Sequence, residues 1–520
     1  MNLEFLDTTL RDGAQAEGIS FTLIDKIEII KRLDYFGIDL IECGNPHSNP
    51  KDAELFEKLK EIELKNAKIS AFGSTRRKNI KPEEDSNLLS LVKSEANIVT
   101  IVGKSSLFQV ENILKTTPQE NLEMIRDSIE FLIDNNIEVY FDCEHFFDGY
   151  IESKDYALQT VRTAIEAGAT HAVLCDTNGS CMPQKAYSVT NELSNLYKDK
   201  IGVHFHDDKS MSVYNALEAI RAGATHVQGT FIGFGERCGN TSLSVLLALL
   251  TLEYGPDTTK KYRMNELTDT ANQIAEISDY NLPSNTPFIG ANAFSHKGGL
   301  HIDAILKTSE SYEHINPDTF GNRRNLLISE VSGRGAIVKK AEELGVAFGK
   351  NDPNTQKLID VLKKKEAAGY QYEGAEASFD LLVKQTFGLF DPPYAVELYR
   401  VIGEKNLGTA TNTASAFVKV RVGEQTEISA GEGNGPVNAL DIALRRALES
   451  FFPQLKTLHL IDYKVRVIDP GAATGAKVRV IMKSKNDIES FTTVGVSTDV
   501  IDASFKALLD SFAYHLSSMV

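Results

Sequence analysis

The segment Ala167-Gly-Ala-Thr-His171 is repeated further along the chain as Ala222-Gly-Ala-Thr-His226. In each copy a helical segment ends at glycine and a β-rich segment begins. Outward from these copies, β-rich runs alternate with amphipathic helical segments such as 22–36, 121–135 and 210–222. The predicted strands are 3–7, 39–43, 69–73, 98–102, 137–142, 172–176, 201–206 and 227–231. Eight strands separated by helices favour an α/β fold of the (β/α)8 TIM-barrel type over an open sheet.

Composition limits the classes of protein and partner. With 520 residues, 42% of them hydrophobic, the chain is long enough for two or three domains. The net charge of −17 argues against nucleic acid or an anionic membrane as a partner. No run reaches the roughly 18 apolar residues of a membrane span, and the first residues do not resemble a signal peptide, which predicts a cytoplasmic location. Five cysteines without Cys-x-x-Cys spacing predict reduced thiols.

The composition changes twice beyond the predicted barrel. Residues 283–330 are polar and Gly-rich, and residues 331–369 return to helical spacing. From residue 377 the pattern is helix, strands and helix, with strands at 416–422, 463–468 and 477–482 and a last helix at 498–516. We therefore predict a barrel domain at 1–275, helical linker subdomains at 276–374 and an α+β domain at 375–520.

Two segments at the ends of predicted strands suggest a metal site. In Gly202-Val-His-Phe-His-Asp-Asp208, His204 and His206 are two residues apart, so on a strand both side chains point the same way. Phe5-Leu-Asp-Thr-Thr-Leu-Arg-Asp-Gly13 is a strand that continues into a polar loop carrying Asp12. Two histidines and one carboxylate hold a divalent cation and leave positions open for substrate or water, as a Lewis-acid catalyst requires.

Further polar residues fall at the same end of the predicted barrel, where active sites of this fold lie. The residues at the carboxyl ends of the strands or in the following loops are Arg11, Asp12, Glu144, Thr177, His204, His206 and Asn240. Their convergence predicts one site. Individually, Arg11 and Asp12 would also fit a local ion pair, Asn240 a Gly-rich turn, and Glu144 a solvated acidic loop.

Two motifs resemble the signatures of an enzyme family. Leu10-Arg-Asp-Gly-Ala-Gln15 with Gly18, together with Val203-His-Phe-His-Asp-Asp208, is similar to the acyl-CoA Claisen-condensing enzymes, which include 2-isopropylmalate, homocitrate and citramalate synthases. Other segments are most similar to the citramalate branch of that family: 48–52, 71–77, 141–150, 312–315 and 321–324. The resemblance covers essentially the whole chain.

The resemblance implies an acyltransferase that condenses acetyl-CoA with an α-keto acid on a divalent metal ion, Mn, Mg or Zn. Pyruvate giving (R)-citramalate, in isoleucine biosynthesis, is the first expectation, and 2-isopropylmalate or homocitrate chemistry is the alternative. Two other classes are a lyase or aldolase on the same barrel and an amino-acid sensor without catalysis. The long C-terminal domain disfavours the lyase, and the intact metal-site residues disfavour the sensor.

The resemblance also implies roles for individual residues. The implied metal ligands are Asp12, His204, His206 and Asn240. The implied catalytic residues are Arg11, Glu144, His301 and Tyr312, and the implied substrate-binding residues are Arg11, Asp142 and Thr177. Arg11 would stabilise the alkoxide, and either His301 or Glu144 would take the methyl proton of acetyl-CoA. His301 and Tyr312 follow the barrel and in the family come from the partner subunit, so a homodimer is implied.

The C-terminal segments 431–437 and 492–497 resemble the regulatory domain of the leucine-pathway synthases. This implies a branched-chain amino acid as effector, with isoleucine expected. Gly433-Asn-Gly435 before Pro436 would present free backbone N–H groups to a carboxylate, although an ordinary tight turn fits as well.

The chain departs from the family pattern at 44–50, 176–183 and 209–212. These departures leave the metal-site residues unchanged and put the identity of the keto acid in doubt. Asn45 and His47, at the end of the second predicted strand, could admit a keto acid more polar than pyruvate, although pyruvate stays the first expectation.

Overall fold

The computed structural model describes residues 3–327, 338, 341–342, 352–405 and 412–517. The chain divides into two compact units, one formed by Met1–Phe294 with Ile315–Arg323 and the other by Ser295–His314 with Arg324–Val520. Helical spacing was predicted at residues 331–369, and most residues of that range before residue 352 lie outside the described residues.

The first unit is a closed barrel of eight parallel strands, which confirms the predicted TIM barrel. The strands are β1 (Glu4–Asp7), β2 (Leu40–Glu42), β3 (Lys68–Ser74), β4 (Ile98–Lys104), β5 (Glu138–Glu144), β6 (His171–Asp176), β7 (Ile201–Phe205) and β8 (His226–Gly229). Each strand pairs with the next, and β1 pairs with β8 to close the barrel. All eight predicted strands are present, and their ends differ from the prediction by no more than about two residues, as is usual for boundaries read from sequence.

Helices alternate with these strands. They are α1 (Leu23–Phe36), α2 (Pro50–Leu59), α3 (Ser86–Lys93), α4 (Pro118–Asp134), α5 (Phe146–Glu152), α6 (Lys154–Glu166), α7 (Pro183–Tyr197), α8 (Ser212–Arg221), α9 (Leu243–Tyr254) and α10 (Leu267–Ile277). A reciprocal capping box between Thr22 and Asp25 begins α1. Gly168 and Gly223, from the two repeated segments, follow α6 and α8 with φ of 104°, a left-handed conformation that glycine adopts without strain.

A polar cluster fills the amino-terminal end of the barrel. The Glu4 carboxylate accepts a hydrogen bond from Tyr140 Oη at 2.7 Å and lies 3.1 Å from His226 Nδ1. Burial opposes ionisation, but His226 and Tyr140 outweigh it and lower the pKa of Glu4 to about 2. His171 lies beside His226, and burial lowers the pKa of His171 to about 3. This cluster packs the end of the barrel opposite the predicted site.

The second unit contains short elements, helices and two antiparallel sheets. Its helices are α11 (Gly299–Ile305), α12 (Pro353–Ala367), α13 (Glu376–Thr386), α14 (Pro436–Leu448) and α15 (Val500–Ser517). Its strands are β9 (Ser295–His296), β10 (Asn325–Leu326), β11 (Ala395–Lys405), β12 (Asn412–Val422), β13 (Gln425–Gly433), β14 (His459–Val467), β15 (Val478–Lys485) and β16 (Ser490–Ser497). Within the described residues, no helix combines the length and apolarity that crossing a membrane requires.

The C-terminal part has the predicted α+β character, but the predicted number of strands was wrong. The sequence indicated three strands, which correspond to β12, β14 and β15, whereas the structure has two three-stranded sheets, β11-β12-β13 and β14-β15-β16. The strand β13 was missed because its residues are mostly polar and exposed, so hydrophobic alternation is absent. Antiparallel backbone pairing with β12 holds β13 in the sheet.

One helix covers each sheet at close range. A Cβ at Gly431, in β13, would collide with the α14 backbone at Ala439. A Cβ at Gly495, in β16, would likewise collide with the α15 backbone at Ala503. These glycines, which belong to the two segments that resemble a regulatory domain, therefore allow each helix to approach its sheet.

Candidate metal centre at the carboxyl end of the barrel

Asp12, His204 and His206 come together at the carboxyl end of the barrel, and all three are buried. Asp12 follows β1, His204 lies in β7, and His206 comes directly after β7. His204 Nε2 lies 3.3 Å from Asp12 Oδ2 and 3.4 Å from His206 Nε2. We refer to Asp12, His204 and His206 as the trio.

The separations within the trio fit a shared metal ion. Ligand atoms that each lie about 2.0–2.2 Å from one ion are about 2.8–3.6 Å apart at angles between 90° and tetrahedral. Two imidazoles and one carboxylate are a donor set for divalent ions with open positions. The residues present therefore fit a divalent cation.

Asn240 closes one side of the trio. Its backbone forms a bridge with His206, and its Nδ2 lies 2.9 Å from Asp12 Oδ2 and 3.3 Å from His204 Nε2. Its Oδ1 is buried and has no hydrogen-bond partner among the described residues. A 180° turn of the amide would bring this oxygen to the trio as a fourth ligand. Gly235 is needed beside it, because a Cβ there would collide with the Asn240 amide.

Arg11 is fixed next to the trio by three contacts. Its Nε donates to Glu42 Oε2 at 2.6 Å, its Nη1 lies 3.6 Å from Asp12 Oδ2, and its Cζ lies 3.9 Å from the centre of the Phe72 ring. Burial opposes the charge, but Glu42 and Asp12 outweigh it and raise the pKa of Arg11. Glu42 was not among the predicted site residues, although a carboxylate inside an apolar predicted strand is a usable signal.

The electrostatics of Asp12 and His206 suit metal binding, whereas in His204 burial opposes the charge but Asp12 outweighs it and raises the pKa of the imidazole. Burial would raise the pKa of Asp12, but the Arg11 charge and His204 hold it well below its usual range. For His206, burial and then the His204 charge lower the pKa to about 4. An ionised carboxylate and a neutral imidazole are the forms that bind metals.

A cavity of about 280 Å³ opens onto the trio. It is lined by Arg11, Asp12, Gln15, Phe72, Val102, Asp142, Glu144, Cys175, Thr177, His204, His206 and Glu236. The predicted site residues of the barrel thus share one cavity, with Asn240 adjacent to the trio outside the lining. Thr177 Oγ1 also accepts a hydrogen bond from the His145 backbone N–H at 2.8 Å. The cavity has the size for a small keto acid.

A larger cavity of about 690 Å³ adjoins the first and shares Val102 and Glu144 with it. Its other lining residues are Ser74, Thr75, Arg76, Arg77, Lys78, Ile80, Gly103, Lys104, Ile113, Leu114 and Met124. Lys104 forms an ion pair with Glu144. Lys104 is the last residue of β4 and lies beyond the strand predicted at 98–102, so it was not among the predicted site residues.

One prediction at this end of the barrel concerned Asn45 and His47, and one residue of the site was not predicted. Asn45 and His47 are not among the residues that line the small cavity, but Asn45 lines a neighbouring cavity of about 350 Å³ that shares Arg11, Gln15 and Phe72 with it, so their role toward the keto acid stays a prediction. Asn45 Oδ1 accepts the backbone N–H groups of His47 and Ser48 and orders the turn before α2. Gln228, which was not predicted, links His204 to Asp142 through hydrogen bonds of 2.9 and 2.8 Å.

Comparisons with known proteins give the family. The family model described as HMGL-like matches residues 2–274, over half of the chain. The chain is 47% identical to the (R)-citramalate synthase of Aquifex aeolicus, over 98% of this chain and 97% of that one. The chain belongs to the (R)-citramalate synthase family. The (R)-citramalate synthase of Geobacter sulfurreducens is 44% identical over 99% and 97% of the two chains, and the 2-isopropylmalate synthase of Pyrococcus furiosus is 31% identical over 98% of each.

Two further family models match the rest of the chain. The homocitrate synthase post-HMGL domain-like model matches residues 288–369, and the LeuA allosteric (dimerisation) domain model matches residues 373–516. Membership of the (R)-citramalate synthase family confirms the resemblance drawn from the sequence motifs. The roles assigned to single residues stay predictions.

Two residues predicted from the (R)-citramalate synthase resemblance, His301 and Tyr312, lie in the second unit. Their rings stack on each other with centroids 4.0 Å apart and an interplanar angle of 22°. Glu313, next to Tyr312, accepts two hydrogen bonds of 2.6 Å from Arg324 and lies 3.1 Å from His296 Nε2. This buried carboxylate orders the segment after α11, and His296 serves in that contact.

Proposed function

We propose that this protein condenses acetyl-CoA with pyruvate and water to give (R)-citramalate and CoA at a divalent metal centre. One observation carries the proposal: the buried trio, with its small cavity, occurs in a chain similar over nearly its whole length to (R)-citramalate synthases. The 31% identity to a 2-isopropylmalate synthase makes that activity the alternative.

The first half of the proposed reaction takes place at the trio. A divalent ion, with Mn, Mg and Zn as candidates, held by the trio and Asn240 would supply Lewis-acid polarisation of the keto carbonyl. Arg11 lines the same cavity and lies beside Asp12, so its guanidinium would stabilise the negative charge that develops on the keto oxygen. Thr177 and Asp142 also line the cavity and are proposed to position the keto acid.

We place acetyl-CoA in the larger cavity. Arg77 and Lys78 are exposed at this cavity, and within the described part of the chain neither forms an ion pair with a carboxylate. Lys78 Nζ donates to the backbone carbonyls of Leu114 and Lys115 at 3.1 and 2.9 Å, contacts that leave its charge unneutralised, so both charges are available for the phosphates of CoA. Ile80, Ile113 and Leu114 provide apolar surface for the pantetheine arm. The thioester would then lie toward Glu144, where the two cavities meet.

Glu144 is proposed to take a proton from the acetyl methyl group, because it lines both cavities. Lys104 pairs with Glu144 and orients it. The resulting enolate carbon bonds to the keto carbon as the C=O π bond opens, and the keto oxygen, stabilised by Arg11, takes up the proton that Glu144 removed. Water then cleaves the thioester C–S bond and CoA leaves as the thiol. His301 is the alternative base.

The proposed activity is tested by thiol release from acetyl-CoA with a panel of keto acids. Pyruvate should give the highest kcat/KM, because Arg11 holds Phe72 against the small cavity and limits the space for the keto acid side chain. A 2-keto acid with an isopropyl group in place of the methyl should be at least about 10-fold poorer. A higher kcat/KM for the branched acid would favour the 2-isopropylmalate alternative.

Removal of the charges at the larger cavity should weaken acetyl-CoA binding. Arg77→Ala with Lys78→Ala should raise KM for acetyl-CoA about 10-fold with little change in KM for pyruvate, because only the CoA carries phosphates. Steady-state kinetics with each substrate varied in turn measures this. Lys93→Ala, an exposed lysine in α3, is the matched control and should behave as wild type. Equal effects on both substrates would contradict the placement.

The second unit supports proposals on assembly and regulation. We propose a homodimer with a branched-chain amino acid effector, isoleucine first, supported by the match to a LeuA allosteric (dimerisation) domain. The strand β14 exposes a row of apolar side chains: Leu460, Ile461, Tyr463, Val465 and Val467.

The boundaries 1–275, 276–374 and 375–520 remain our proposed domains and agree in order with the three matched family models.

The turn before α14 is proposed to receive the effector carboxylate, which would replace Asn438 Oδ1 as the acceptor of the Asn434 backbone N–H, 3.1 Å away in this structure. Isoleucine should therefore raise the Tm of the full-length protein by about 3 °C or more at saturation. Gly433→Ala should abolish the shift, because a Cβ at Gly433 would lie 2.8 Å from the Ala439 backbone N in the first turn of α14.

Gly435→Ala is the matched control for that experiment. Gly435 has an extended backbone, and a Cβ there would have no atom within 4 Å. Calorimetry with isoleucine, and with alanine as the control ligand, gives the measurement. An isoleucine response that persists in Gly433→Ala would place the effector elsewhere.

A further inference from the structure

Gln228 is a buried amide that no sequence motif singled out. It lies in β8, is fully buried, and is the register partner of His204 in β7. Its Oε1 lies 2.9 Å from His204 Nδ1, and its Nε2 donates to Asp142 Oδ1 at 2.8 Å. Both ends of the amide are therefore used, one by a metal ligand and the other by a carboxylate.

The direction of these hydrogen bonds follows from donor and acceptor chemistry. A carboxylate oxygen accepts, so Asp142 selects the NH2 end of the Gln228 amide. The carbonyl end then faces His204 Nδ1, and a carbonyl oxygen can only accept, so Nδ1 carries the ring proton. In the neutral imidazole, His204 Nε2 is then left with its lone pair, on the side that faces Asp12 and His206.

We propose that Gln228 is a positioning residue, which, together with Asp142, holds His204 in the one tautomer able to bind a metal through Nε2. The inference rests on the proposed metal centre. In proteins the second nitrogen of a metal-bound histidine donates to a carboxylate, carbonyl or water. Here the acceptor is the side-chain carbonyl of Gln228, and the Asp142 carboxylate binds the Gln228 amide rather than the histidine.

The other histidine of the trio has no such support. His206 Nδ1 is buried and, within the described residues, has no hydrogen-bond partner. The orientation and tautomer of His204 are thus fixed by the barrel, whereas those of His206 are not fixed by a hydrogen bond at Nδ1. Loss of the Gln228 contact would therefore leave both imidazoles free to take the wrong tautomer.

Asp142 has two roles in this arrangement that can be separated. It lines the small cavity, where it was predicted to bind substrate, and it also orients Gln228. Asp142→Asn keeps an oxygen that can accept from Gln228, whereas Asp142→Leu removes it. If Asp142 binds the substrate, its substitution changes KM for the keto acid. If Asp142 orients Gln228, its substitution changes the affinity of the protein for the metal.

The test measures metal affinity and tautomer independently of turnover. Calorimetric titration of metal-free, full-length protein with Mn²⁺ should give Kd values about 10–100-fold higher for Gln228→Met and Asp142→Leu than for wild type. Asp142→Asn should stay within about 3-fold. Solid-state ¹⁵N spectra of histidine-labelled protein, assigned with His204→Gln, should show the Nδ1–H form of His204 in wild type and a mixture of tautomers in Gln228→Met.

Ser70→Ala is the matched control for loss of a buried hydrogen bond in the barrel. Ser70 Oγ lies 3.0 Å from Thr100 Oγ1, and both residues are fully buried. This variant should lose stability and keep the wild-type Kd for Mn²⁺. An unchanged Kd and an unchanged His204 signal in Gln228→Met would overturn the inference, as would equal weakening in Asp142→Asn and Asp142→Leu. If wild type binds no Mn²⁺ but its Nδ1–H form depends on Gln228, the metal proposal fails while the positioning role stands.

Discussion

Asp12→Ala should abolish both metal binding and condensation. The carboxylate is buried, ionised and 3.3 Å from His204 Nε2, and the trio has no second carboxylate among its ligand atoms. Its removal would leave two imidazoles, which hold a divalent ion far more weakly than the full set. We expect kcat/KM to fall by at least about 10³-fold, because the polarisation of the keto carbonyl is lost.

Metal content by mass spectrometry and turnover with and without a chelator measure this effect. Asp34→Ala is the matched control: its buried carboxylate accepts the backbone N–H groups of Asn66 and Ala67, two residues outside the trio, at 2.7 and 2.8 Å. That variant should have a lower Tm and an unchanged metal content. Full turnover of wild type in excess chelator, or a normal metal content in Asp12→Ala, would refute the metal centre.

Glu144→Gln should produce the second largest loss. If Glu144 takes the methyl proton of acetyl-CoA, an amide in its place cannot, and kcat should fall by about 10²–10⁴-fold with little change in metal affinity. The direct measurement is deuterium exchange into the methyl group of acetyl-CoA in heavy water, in the presence of a keto acid analogue that cannot react. Wild type should exchange and Glu144→Gln should not.

Two variants complete this experiment. Asp148→Asn changes a carboxylate in the same segment, where Asp148 Oδ2 accepts from Asn178 Nδ2 at 2.6 Å, and it should exchange as wild type does. His301→Ala tests the alternative base. If His301→Ala loses exchange and Glu144→Gln retains it, the proton is taken by the histidine of the second unit and our assignment to Glu144 is wrong.

The barrel could be predicted from the sequence because its signals are local. Each strand is a short apolar run, and the glycines Gly168 and Gly223 mark helix ends with the same left-handed conformation. The spacing of His204 and His206 placed two imidazoles side by side, since alternate residues of a strand share a face. Asp12 could be predicted to lie beside them because the carboxyl ends of all the strands in a closed barrel meet at one rim.

The sequence by itself thus determined the barrel, the end that carries the site and the trio, all through local periodicity and the geometry of parallel strands. Only the tertiary structure decided which side chains surround the trio. Glu42, Lys104 and Gln228 contact Arg11, Glu144 and His204, respectively, which barrel closure brings near them. Gln228 and its other partner, Asp142, are 86 positions apart in the chain. The strand β13 likewise exists through pairing with β12, although its own residues carry no apolar alternation. Contacts of this kind depend on strand register around the barrel or sheet, and no local pattern of residues encodes them.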